Sequence, residues 1–166
     1  SKKPGSIYAA FQSKGALFRA TLDRYADRMT TEMEVLIATS PSPLRALQGH
    51  LQGLSELTPC DRVSTACMLV KSLLEVPQEG NLRAFITAHL DRVEGVITAA
   101  LDAARDKGEL PPDSDTGRLA RRIQTYIFGL KVQAQRETDP KRMRDLCDDL
   151  ASELARVCGD SGGASA

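Results

Sequence analysis

No stretch of this 166-residue chain approaches the eighteen or so apolar residues that a membrane span requires. No signal-peptide pattern opens it either, so no membrane partner and a cytoplasmic location are expected. Only two histidines occur, His50 and His89, and neither falls in an HExxH pair. GxSxG elbows and phosphate-cradling glycine loops are missing, and the acidic residues sit among basic neighbours on what should be solvent faces. Catalysis and a bound cofactor are therefore not expected. The four cysteines, Cys60, Cys67, Cys147 and Cys158, lack CxxC spacing, which argues against a zinc site or a disulfide framework. They read as packing residues, with a redox or ligand-contacting role for Cys60 or Cys67 as the lesser alternative. No segment alternates apolar and polar residues between hairpin turns, so strands are not expected.

What is present is the composition of a helical globular domain: 42% of residues are apolar and 27% charged. A chain of this length can bury roughly two-thirds of the surface it exposes when unfolded. The punctuation is chemical. Phe18, Leu22, Tyr25, Met29, Met33 and Leu36 recur every three or four residues, which predicts a helix over 14–39. Ser40-Pro41-Ser42-Pro43 stops it, and Ser42 with Pro43 caps and opens the next, which carries Leu44, Leu47, Leu51 and Leu54 to about Thr58. Residues 63–76 are apolar nearly all round, which predicts a helix at the centre of a bundle. A long helix follows from about Asn81, and Lys107, Gly108, Leu110 and Pro111-Pro112 mark its end. Asp113, Ser114 or Asp115 should cap a helix to about Arg136, and Asp139-Pro140 should open a last one to Cys158. With a short helix near the start, seven helices are predicted.

The opening stretch, SKKPGSIYAAFQSKGALF, orders a short helix, a turn at Gln12-Ser13-Lys14 and an apolar run from Leu17. KPGSIYAAFQSKGALF resembles the recognition helix and following helix start of the TetR family of bacterial transcription regulators. Ser6, Ile7, Tyr8, Phe11 and Lys14 match that family's pattern, whereas Gly15 stands where the family commonly has Glu. Glutamate there would favour the first helical turn through the helix dipole, so this helix should start more softly. Residues 1–30 carry a net charge of +4 and the remainder −4, which favours nucleic acid at that end.

The resemblance implies an all-α fold. It divides the chain into the C-terminal part of a helix-turn-helix domain (1–20), a ligand-binding and dimerisation bundle of antiparallel helices (21–158) and a flexible tail (159–166), with further helices ahead of Ser1. It implies DNA contacts by position: Tyr8 and Lys14 to phosphates, and Lys3, Pro4, Gly5 and Ser6 at the helix start facing the major groove. Homodimerisation would use the last two helices, with Leu119, Ile123, Ile127, Leu130, Met143, Leu146, Leu150 and Leu154 as interface candidates and Gly129 allowing a close crossing. A small-molecule effector would enter the core, where Met33, Cys67, Met68, Ile86, His89, Leu90, Val93, Gln124 and Phe128 are the lining candidates. Such a set suits a mainly apolar effector with one polar handle. The expected function is a repressor, dimeric on a pseudo-palindromic operator and released by its effector. The alternative is a helical ligand-binding or dimerisation module without DNA binding of its own.

Overall fold

The computed structural model describes residues 14–56, 66–76 and 80–159. The first predicted helix lies outside them. The described residues form six α-helices and no strand: α1 (Lys14–Thr39), α2 (Pro43–Gly53), α3 (Ala66–Glu75), α4 (Asn81–Asp106), α5 (Thr116–Arg136) and α6 (Pro140–Gly159). The second helix ends earlier than its leucine spacing predicts, because the chain tightens into a 3-10 turn at Leu54–Glu56. Leu54 still reaches the core from that turn.

Local chemistry sets the boundaries. The Ser42 hydroxyl accepts the Arg45 N–H at 3.1 Å with Pro43 in the first turn of α2, and Asp115 accepts the Arg118 N–H at 3.0 Å. Asp139 takes the Lys141 N–H at 2.9 Å. Each satisfies one of the donors a helix start leaves unpaired. At the end of α4, Gly108 turns left-handed at φ +78°. The Glu109 N–H then reaches back to the Ala104 carbonyl at 2.8 Å, the Gly108 N–H reaches Arg105 at 3.0 Å, and Leu110 is buried. This turn also holds the start of α2, since Glu109 accepts the Leu44 N–H at 3.1 Å and Lys107 donates to the Pro41 carbonyl at 3.2 Å. A carboxylate at a helix N-terminus meets the positive end of its dipole.

Two apolar clusters result. The larger gathers Met33 of α1, Leu47 and Leu51 of α2, Ile97 and Leu101 of α4, Ile123, Ile127 and Leu130 of α5, and Met143, Cys147 and Leu154 of α6. The smaller holds Leu22 and Ala26 of α1, Leu69 of α3 and Ile86 of α4, with Tyr25, Met68 and Leu90 packed against it. α1 and α4 pass through both.

Two expectations are corrected by this arrangement. The buried face of α1 runs through Leu22, Ala26, Thr30 and Met33, while Phe18 and Leu36 of the predicted stripe are exposed. Small Ala26 and Thr30 occupy the contact line, and the Thr30 hydroxyl is satisfied by the Ala26 carbonyl at 2.8 Å. α3 is not central: Leu69 and Ser72 are buried, yet Leu74 is 80% exposed. A ten-residue helix lying on the smaller cluster covers one of its faces only, whatever the apolarity of the others.

Candidate functional site

Of the residues that the sequence points to for DNA, Lys3, Pro4, Gly5, Ser6 and Tyr8 lie outside the described residues, and Lys14 is the first residue of α1. α1 runs unbroken through residues 20 and 21, where the sequence reading sets a domain boundary.

The predicted lining residues separate into three places. Met33 and Val93 are in the larger core, and Ile86, with Met68 and Leu90 against it, is in the smaller. Gln124 ties α5 to α4: it is buried, and its side-chain amide donates to the Leu90 carbonyl at 2.8 Å. Phe128 is half-buried on α5, and the Cys67 side chain is outside the description. His89 sits apart. Its ring stands edge-on to Phe85, centroids 4.7 Å apart, and its Nε2 meets Asp23 of α1 at 3.1 Å. Beside it Arg92 of α4 forms an ion pair with Asp27 of α1, so two polar contacts tie α1 to α4.

Two interior polar residues were missed by the sequence reading. Lys131 is buried on α5, and its ammonium approaches the Met29 sulfur at 3.5 Å. His50 of α2 has a fully covered Nε2 with no hydrogen-bond partner among the described residues. Burial, reinforced by the charge on Lys131, pushes the His50 imidazole down to about 4, so it is neutral near pH 7. Both were findable from spacing, because Lys131 stands four residues after Ile127 on its buried face and His50 three after Leu47. Lys131, His50 and Gln124 give the interior between α2, α4 and α5 a polar character that the apolar stripes alone do not suggest. An open groove of about 380 Å³ does lie on the protein, but on α4 alone, along Asp91, Glu94, Gly95, Thr98 and Asp102. It includes none of the predicted lining residues, and a single helix encloses nothing.

The interface candidates also divide. Ile123, Ile127, Leu130, Met143 and Leu154 are each at most 5% exposed and belong to the protomer's own core, so they have no surface left for a second copy. Apolar surface remains on the α5–α6 pair at other positions, among them Leu119, Tyr126, Leu146 and Leu150, which are half-buried, and Val132, which is 46% exposed. Gly129 is exposed, and a side-chain carbon placed there would meet nothing within 4 Å, so no close crossing within the protomer depends on it. Arg122 of α5 locks this edge to α6, reaching Glu153 at 2.7 Å. Arg156 and then Arg122 hold the Glu153 carboxyl below its ordinary range.

Comparison with known proteins adds the following. Residues 43–150 match the family model described as "Tetracyclin repressor-like, C-terminal domain", a span that starts at α2 and ends within α6. The HTH-type transcriptional repressor ComR of Escherichia coli (strain K12) is 26% identical over 135 residues, 80% of this chain. The chain spans 64% of the length of ComR. A cysteine-substituted CifR, a TetR family transcriptional regulator complexed with a 26-base-pair operator duplex, superposes with a TM-score of 0.74 at 22% identity, covering 94% of this chain and 80% of that one. Escherichia coli NemR in its reduced form gives 0.69 at 17% identity, with 92% and 77% covered. These two likenesses establish the helical fold.

Proposed function

Because the chain belongs to the tetracyclin repressor-like family of regulators, we propose that it is the sensor bundle, and part of the DNA-reading head, of a homodimeric transcriptional repressor. The observation that carries this reading is α1. Its first residue, Lys14, closes the SIYAAFQSK motif, and its buried face then crosses both apolar clusters to Met33. A helix anchored in this way transmits a change of core packing to whatever precedes it.

The dimer forms through the outer edge of α5 and α6, around Leu119, Tyr126, Val132, Leu146 and Leu150, and the two heads read half-sites one DNA turn or a multiple apart. The effector enters among α1, α2, α4 and α5, with its apolar body against Met33 and Val93 and its polar handle on the covered Nε2 of His50. An unsatisfied buried nitrogen carries a desolvation penalty that a ligand hydrogen bond would relieve. Release of DNA follows if the effector prefers the conformation with mismatched heads, and linkage makes the coupling reciprocal.

Gel shifts on the complete protein, with its upstream helices present, test the reading. Lys14→Ala and Tyr8→Phe should weaken operator binding and flatten its salt dependence. Unchanged shifts across salt would refute the motif assignment.

A further inference from the structure

Asp23 and Asp27 stand four residues apart on α1, one turn above the other, and both face His89 of α4. One donor atom from each, two carboxylate oxygens and an imidazole nitrogen, lie within 4.8 Å of one another. We propose that these three side chains bind a divalent transition cation of the zinc class, as a clip between α1 and α4.

The spacing fits. Ligands at 2.0–2.2 Å from a tetrahedral zinc stand about 3.3–3.6 Å apart, and the His89 Nε2 to Asp23 Oδ1 distance is 3.1 Å. A small outward shift of that pair gives one edge of a coordination shell. The imidazole is also held for the task. Its side chain is only 11% exposed and stands edge-on to the Phe85 ring, with Nε2 toward Asp23 of α1. The carboxylates are about half exposed, so a cation has access and water can complete its shell.

Chemistry narrows the ion. Calcium and magnesium favour all-oxygen shells, whereas a nitrogen donor beside two carboxylates suits zinc, cobalt or nickel. Two anionic ligands offset a divalent charge. The opposing influence is Arg92, whose guanidinium already pairs with Asp27. Binding requires Asp27 to turn an oxygen from Arg92 toward the ion, so Arg92 weakens the site.

Cobalt(II) titration of the untagged, metal-free chain, followed by its visible absorption with zinc competition, tests this. One cobalt per chain is expected, displaced by zinc. Asp23→Asn and His89→Gln should each weaken binding at least tenfold, and Asp145→Asn, which removes an exposed carboxylate on α6, should leave it unchanged, with far-UV circular dichroism confirming folding throughout. Arg92→Gln should tighten binding severalfold, a gain that adventitious surface binding would not show. Failure to bind millimolar cobalt, or equal binding by the wild type, Asp23→Asn and His89→Gln, would overturn the proposal.

Discussion

The buried His50 makes the stability of the protein depend on pH in a direction and amount that follow from its surroundings. In the unfolded chain this imidazole takes up a proton near pH 6.5, whereas in the fold burial and the Lys131 ammonium push it down to about 4. Between these values the unfolded state binds more protons, so stability rises with pH across that window and is lost as pH falls through it. The gap corresponds to about 3 kcal/mol in full, at about 1.4 kcal/mol for each tenfold change. From pH 7 to pH 5 the loss is about 2 kcal/mol. Urea unfolding at a fixed protomer concentration, comparing the wild type with His50→Gln, isolates this contribution. Other titrating groups act on both proteins alike. The wild type should lose about 2 kcal/mol more than the variant over that interval. Parallel stability curves would refute the reasoning and mean that the imidazole is hydrated or paired in solution.

Further measurements address the packing. Val132→Glu, on a residue 46% exposed, should give folded monomers in sedimentation, whereas Leu154→Glu, in the core, should unfold the chain; a Val132→Glu dimer of unchanged strength would place the interface elsewhere. Ile97→Ala should cost about 2–5 kcal/mol and Leu74→Ala almost nothing, and comparable losses would contradict the peripheral position of α3. Gly108→Ala forces a side chain into the left-handed region at φ +78° and should cost about 1–2 kcal/mol; an unshifted urea midpoint would mean the turn relaxes freely. Burial pushes the Cys147 thiol up to about 11, so iodoacetamide at pH 8 should modify it only after unfolding, and rapid labelling of the folded protein followed by peptide mapping would contradict this.

Helix positions were legible in the sequence because their boundaries are written in local chemistry. Ser42-Pro43, Lys107-Gly108 and Asp139-Pro140 act on backbone groups within one turn, independent of what packs beyond. Burial was less legible, because it depends on neighbours remote in sequence. Ala26 and Thr30 look indifferent by composition yet fill the line along which α1 meets the bundle, while Phe18, equally apolar, lies beyond it. The same limit moved Ile123, Ile127 and Leu154 from expected interface to observed core. Apolar spacing identifies a face, but not whether that face meets its own chain or another copy. His89 was read as a lining residue, and it is the opposite helix, with Asp23 four residues before Asp27, that sets it in an inter-helix cluster.

The two apolar clusters have a kinetic consequence. Ile86, Leu69, Leu22 and Ala26 form a unit with far fewer buried side chains than the larger core, and two through-running helices join it to that core. Amide protons there should exchange with solvent by partial opening, at lower free energy than those around Ile97 and Ile123. The protein then has a built-in order of failure: under heat or denaturant, α3 and the first turns of α4 let go while the α5–α6 pair still stands. Protease nicking should begin in that first unit, leaving a resistant fragment that contains α5 and α6.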